Sequence, residues 1–264
     1  MSKLPIGLTI AGNDPTGGAG ILADMKAMHS REVYGMAVIT SLTAQNTLGV
    51  QDVFNIPVDF IDKELKSVFD DELPHALKTG MIAEADMMTL VAKYIKKYKT
   101  PYVMDPVMIA TSGDRLMTDQ SMNTLISELI PLADIITPNL HEAEAIAGMK
   151  ITSEEDIKVA LKIMREDMGA SNVIIKGGHL EGDAIDYLYD GNDIFTLSAN
   201  RIDTNQTHGT GCTFSAVLTA ELAKKKSVME AFKTAKAYIT NAIQNSPNIG
   251  RGNGPVNHFS YKED

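Results

Sequence analysis

Short apolar runs of strand length alternate with segments of helical periodicity along most of the 264 residues, and this alternation is what most constrains the fold. A chain that repeats strand and helix in this way builds a mostly parallel sheet, because parallel neighbours need a crossover and the helices then cover the faces. Leu4 to Ala11 reads as the first strand, followed by a Gly- and Pro-rich turn and a helix over Ala19 to Ser30. Met36 to Leu42 is a second strand, and short strands are predicted at Ala76 to Thr79, Tyr102 to Asp105, Asp134 to Thr137 and Asn172 to Lys176. Helical patterns fall at Phe60 to Phe69, Ala85 to Lys97, Ser121 to Leu129, Glu142 to Gly148 and Glu154 to Met168. Ala184 to Tyr189 and Ile194 to Leu197 flank Asp190-Gly191-Asn192-Asp193, a hairpin signal that belongs at a sheet edge. Helices over Thr213 to Lys225 and Val228 to Asn245 close the pattern. No linker-like composition divides the chain, so residues 1–264 read as a single domain.

Composition narrows the functions. With 44% hydrophobic and 22% charged residues the chain can bury a full core. A formal net charge of −10 argues against broad binding to nucleic acid or anionic lipid, so an anionic substrate must be held by local donors. One cysteine excludes an internal disulfide and fits a reducing compartment. The first 30 residues lack a secretory pattern, and no run approaches 18 apolar residues; the reading is a cytoplasmic protein with no membrane partner.

In open sheets of this kind ligands bind beyond the carboxyl ends of the strands, so polar residues there were sought. His208-Gly209-Thr210-Gly211-Cys212 precedes a helix-forming run, and its glycines and free N–H groups suit an anion. A cysteine at such a helix start has its thiolate favoured and could act as a base; the competing account is a glycine turn with a packed cysteine. Gly12-Asn13-Asp14-Pro15-Thr16-Gly17-Gly18-Ala19-Gly20 follows the first strand, with Asp24 one turn into the helix, as a ligand group or a partner of the helix dipole. Neither a phosphate-loop lysine motif nor a dinucleotide fingerprint occurs. Gln45, in a loop beyond the second strand, carries an amide that both donates and accepts, matching a heterocycle edge with an amino group beside a ring nitrogen. Met81 and Val107 are apolar walls or simply core. Asp105 and Glu142 offer the oxygen ligands that Mg²⁺ prefers, while Asn139-x-x-Glu142 is also a good capping box. Lys176 leaves its strand into a glycine pair and can meet phosphate or lie on the surface. Ala110 to Arg115 has the composition of a flap.

In their joint order these pieces resemble the hydroxymethylpyrimidine/phosphomethylpyrimidine kinases, members of the ribokinase-like superfamily related to pyridoxal kinases. The likeness rests on Leu8-Thr9-Ile10-Ala11-Gly12, Ala44-Gln45-Asn46-Thr47, Lys78-Thr79-Gly80-Met81, Asp105-Pro106-Val107-Met108, Thr137-Pro138-Asn139-Leu140 with Glu142, Lys176-Gly177-Gly178-His179 and His208 to Cys212. Gly250 to Phe259 resembles the family's C-terminal signature. The resemblance implies a ribokinase-like α/β fold and two ATP-dependent phosphorylations, of 4-amino-5-hydroxymethyl-2-methylpyrimidine and then of its monophosphate, in thiamine biosynthesis. It implies that Gln45 reads the pyrimidine edge, with Gly12, Asp24, Met81 and Val107 around the ring. Gly209, Thr210, Gly211 and Cys212 would supply the anion hole and base, with Thr210 on the ATP side. Asp105, Asn139 and Glu142 would hold Mg²⁺ or its waters, with Asn139 and Lys176 on ATP. Sugar kinases of the superfamily carry aspartate where Cys212 stands, so the base here is expected to be a thiolate. Family likeness also implies a homo-oligomer, a dimer. A pyridoxal kinase is the rival reading, a non-catalytic sensor a more distant one, and an NAD-dependent oxidoreductase is set aside by the missing fingerprint.

Overall fold

Along the inner strands, successive side chains pack into different cores, which is how a sheet covered on both faces must read. The computed structural model describes residues 4–108, 117–177 and 182–261. The strands are β1 (Ile6–Asn13), β2 (Tyr34–Asn46), β3 (Gly49–Asn55), β4 (Ala76–Thr79), β5 (Tyr102–Met104), β6 (Ile135–Ile136), β7 (Val173–Lys176), β8 (Ala184–Tyr189) and β9 (Ile194–Ala199). They form one sheet in the order β3-β2-β1-β4-β5-β6-β7-β8-β9. The pairs from β2 to β7 are parallel, while β3 at one end and β8 and β9 at the other run antiparallel. Connection direction reverses between β1 and β4, and such a switch point opens a crevice at the strands' carboxyl ends.

The helices are α1 (Gly20–Ser30), α2 (Val58–Asp71), α3 (Ala85–Tyr98), α4 (Asp119–Thr124), α5 (Leu140–Ala147), α6 (Glu154–Lys162), α7 (Thr210–Ala223) and α8 (Val228–Gln244). Tyr102 and Met104 of β5 join Leu65, Val91, Leu140 and Ile157 in the core beneath α2, α3, α5 and α6. Val103 between them faces Phe214, Val217 and Phe232 of α7 and α8. Ile174 of β7 takes the same side as Val103, while Val173 and Ile175 take the other. Helix α7 is buried from Thr213 to Glu221, apolar on nearly every side, so its position over the sheet is fixed all round. Truncating Phe214 there would cost about 3–5 kcal/mol. Among the described residues no helix is long and apolar enough to cross a membrane.

Several elements differ from the sequence reading. β2 runs on to Asn46 and pairs with β3, a strand the pattern did not reveal. The residues of β3 are half-buried or exposed throughout, Phe54 at 62%, so no apolar alternation marks them. Gln45 therefore sits on a strand, not in a loop. At the other end of the chain, α7 begins at Thr210, three residues early, which puts Gly211 and Cys212 inside its first turn. Two other predicted helices, Ser121 to Leu129 and Glu154 to Met168, change to wider, π-type turns over Leu125–Leu129 and Ile163–Asp167. The expected flap, 110–115, lies outside the described residues, as do Gly178 and His179.

Candidate active site

Helix α7 opens at the carboxyl end of the sheet, and its start is built by two glycine turns pressed together. Gly209 caps the helix in the left-handed region, φ +79°, and a side chain there would collide with the Gly18 carbonyl. Gly20, φ +57°, is crowded in the same way by the Gly12 carbonyl. No side chain caps α7, so N–H groups of its first turn are free to face a ligand. A Cβ on Gly211 would stand 3.2 Å from Lys176 Nζ and 3.5 Å from Asp105 Oδ2. The Cys212 carbonyl, on the next residue, lies 3.5 Å from Lys78 Nζ. The first turn of α7 thus sits between two charged clusters.

One cluster lies beyond β5, β6 and β7. Lys176, at the end of β7, donates to Asp105 Oδ1 at 3.2 Å. Thr137 Oγ1 and Ser215 Oγ reach the two Asp105 oxygens at 3.3 Å each. Asn139 and Glu142 form both halves of a capping box at the start of α5: the Asn139 side chain accepts from Glu142 N–H, and Glu142 Oε2 accepts from Asn139 N–H. Burial pushes the Glu142 carboxyl up to about 7, with Lys176 opposing and Asp105 adding to the rise. Lys176 is held above its ordinary value although burial works against it, because Asp105 and Glu142 both face it. Two buried carboxylates share one lysine, which leaves the cluster short of positive charge. Among the described residues no group of three or more His, Cys, Asp or Glu could hold a metal unaided. Asp105 and Glu142 fit a cation that brings oxygens of its own, as Mg²⁺ does with water and phosphate.

The other cluster sits on β1, β2 and β4: Thr9 and Lys78 are register partners within β1 and β4, and Gln45 is near the end of β2. Asp24 is wholly buried, taking Lys78 Nζ at 2.7 Å and Thr9 Oγ1 at 2.6 Å. Burial pushes Asp24 up, while Lys78 stays charged against its own burial because Asp24, Cys212 and Asp105 surround it. The structure therefore leaves Asp24 inaccessible, with both oxygens occupied. Gly12 meets Met81, whose Sδ would be 3.3 Å from an added Cβ, and Thr40 fixes the Met81 carbonyl at 2.7 Å. Gln45 reaches His208, nitrogen to nitrogen at 3.3 Å, and His208 Nε2 pairs with Asp14 Oδ2 at 2.7 Å. Burial would raise the Asp14 carboxyl, but the hydrogen bonds from His208 and Thr16 outweigh it and hold it low. Val107 is half-buried two residues past Asp105, and the Thr210 hydroxyl turns back onto the Thr207 carbonyl at 3.0 Å. The C-terminal segment covers this side: Arg251 and Gly252 N–H donate to Thr47 Oγ1, and His208 N–H donates to the Gly254 carbonyl.

Burial pushes the Cys212 thiol up to about 12, Asp24 and Asp105 add to that, and Lys78 and the Gly20 N–H oppose it, so the surroundings work against the expected thiolate. Dipoles at the helix start favour the thiolate, whereas burial and the two carboxylates that the fold brings near the sulfur oppose it. Sequence reasoning also missed Lys78 and the Asp14–His208 pair. A lysine within the four-residue, fully buried strand β4 was a usable signal, since an unpaired charge is not tolerated there.

The model of the family described as phosphomethylpyrimidine kinase matches residues 14–257. The chain belongs to that family. It is a kinase, a phosphotransferase. The hydroxymethylpyrimidine/phosphomethylpyrimidine kinase of Staphylococcus aureus strain MSSA476 is 54% identical over 264 residues, with 99% of this chain and 96% of that protein covered. Among solved structures, the ADP complex of Bacillus subtilis pyridoxal kinase is 40% identical with a TM-score of 0.90, covering 98% of each chain. Phosphomethylpyrimidine kinase from Clostridium difficile 630 is 41% identical with a TM-score of 0.81, covering 90% of this chain and 99% of that one. The ribokinase-like α/β fold expected from the sequence is the fold these relatives share with this chain.

Proposed function

We propose that this kinase uses ATP to phosphorylate 4-amino-5-hydroxymethyl-2-methylpyrimidine and then phosphorylates the monophosphate, supplying the diphosphate to thiamine biosynthesis. The observation that carries this reading is the placement of the α7 start between the Gln45 side and the Asp105–Lys176 side, so that one anion hole can serve acceptor and donor together. The ring lies against Gly12, Met81 and Val107, and the Gln45 amide takes its amino edge; Asp24 shapes this pocket through Lys78. N–H groups of Gly209, Gly211 and Cys212 face the migrating phosphoryl group, with Thr210 and Asn139 on the ATP side. Lys176 meets the ATP phosphates as a point charge. Asp105 and Glu142 are the side chains that would hold Mg²⁺ or its waters, and the ion would supply neutralisation of the charge that develops on the phosphates.

In this reading the Cys212 thiolate is the proton acceptor, formed when the thiol releases its proton to solvent before the acceptor alcohol is deprotonated. The first acceptor is a neutral alcohol that needs a base, whereas the monophosphate is mostly dianionic near neutrality. The whole chain acts as one kinase domain, a homodimer of the cytoplasm, with the free thiol suited to a reducing compartment.

Pyridoxal kinase is the second reading, favoured by the 0.90 TM-score of the Bacillus subtilis enzyme. Gln45 separates them, because a pyridoxal ring offers no amino group to the amide. Steady-state rates with both acceptors test the proposal: kcat/KM is expected to be higher for the pyrimidine, and a higher value for pyridoxal overturns it.

A further inference from the structure

The edge of the sheet beside Lys176 contains a buried ion pair that the reaction as proposed leaves unused. Lys236 of α8 donates to Asp186 Oδ2 at 2.9 Å and to the Ala184 carbonyl at 2.7 Å, and both charged side chains are nearly inaccessible, 10% and 7% exposed. The other Asp186 oxygen accepts from Gly177 N–H at 3.1 Å. Lys176 and Asp186 are register partners in the β7–β8 ladder, so Gly177 is the first residue past its paired end. There a side-chain oxygen takes the place of the next backbone acceptor. Gly177 is pressed so closely on β8 that any side chain would collide with the Ile185 carbonyl. On its other flank, Lys176 N–H donates to the Pro138 carbonyl at 2.9 Å, beside Asn139. A buried ion pair adds little stability over an apolar pair of the same shape, so its presence at this spot calls for another reason.

We propose that Asp186 and Lys236 are positioning residues for the nucleotide side of the site, fixing the Lys176–Gly177 exit of β7 so that Lys176 points to the phosphates. This rests on the reading of Lys176 as the phosphate-binding lysine. The pair acts through one hydrogen bond, Gly177 N–H to Asp186, with Lys236 holding the carboxylate in place. A carboxylate left without its lysine would be a buried, uncompensated charge, so the two residues are best changed together.

Two double variants separate positioning from packing. Asp186→Asn with Lys236→Met removes both charges but keeps an oxygen for Gly177; Asp186→Leu with Lys236→Met removes the oxygen as well. Calorimetric titration with a non-hydrolysable ATP analogue and, separately, with the pyrimidine gives both affinities. The expected result is analogue binding within about twofold of the parent for the Asn pair and about tenfold weaker for the Leu pair, with pyrimidine affinity unchanged in both. Equal analogue affinity in the two pairs, or parallel loss of both ligands, overturns the positioning role. Lys176→Met on the same scale keeps the readings apart. Unchanged analogue affinity there overturns the role of Lys176 itself; weakened affinity there, with both double variants normal, overturns only the present inference.

Discussion

Two charged clusters flank the start of α7, and they are built on different principles. On the acceptor side Lys78 and Asp24 balance one for one, wholly buried, with Thr9 completing the carboxylate's partners. On the phosphate side one lysine faces two carboxylates, and Lys176 keeps 17% of its side chain accessible. A closed pair has nothing left to offer a ligand and serves to hold shape. A cluster short of positive charge, opening to solvent, has unmet electrostatic demand that a cation with its phosphates can meet. On the proposed reading, the same fold uses ionic groups once as frame and once as binding surface.

That contrast breaks most visibly if charge is removed from each side in turn. Lys78→Met leaves Asp24 buried without its partner and should lower unfolding free energy by about 3–5 kcal/mol in denaturant melts. Lys176→Met, in a cluster that is open to solvent and where Glu142 can take up a proton, should cost less stability but reduce turnover with ATP by about 10²-fold or more. Were Lys176→Met the less stable of the two, the division between frame and binding surface would be wrong.

Cys212→Ala should slow the first phosphorylation by about 10²-fold and the second far less, measured on one preparation with each acceptor. Since burial holds the thiol up to about 12, the first step should also accelerate with pH from 6 to 9 in the parent. Equal losses with both acceptors would reassign Cys212 to shaping the anion hole.

Glu142→Gln is the subtler change. The carboxyl is raised from 4.5 to about 7 in the folded chain, so its contribution to stability is present below 4.5 and is lost as pH rises through about 7. Without ligands, the parent should lose roughly 1–3 kcal/mol relative to the Gln variant between those limits, read from melts at several pH values. Glutamine can keep the capping box, so α5 itself should not be affected. A pH-independent difference would show that Glu142 is not strained by burial and by Asp105.

The frame was harder to read from the sequence than the binding surface. Asp105 follows β5 directly, Lys176 ends β7 and Glu142 opens the helix after β6, and a strand end in a parallel sheet is where ligand groups are expected. Asp24 looked equally available, because helical position alone cannot show that Lys78, 54 residues away, has already taken its carboxylate. Gln45 looked like a loop residue because β3 leaves its side chains half-buried or exposed and lacks the alternation that marks a strand. The charge state of Cys212 is hard to read locally for a related reason: it depends on burial and on Lys78, Asp24 and Asp105, all distant in sequence. Local pattern fixes elements; only the assembled sheet decides which charges are already matched.

The most direct measurement is a crystal structure with the pyrimidine and a non-hydrolysable ATP analogue bound together. The account predicts the ring against Gly12 and Met81 with its amino group on Gln45, and the terminal phosphate on the α7 N–H groups within reach of Lys176. A terminal phosphate more than about a nanometre from Asp105, or a ring turned away from Gln45, would contradict it.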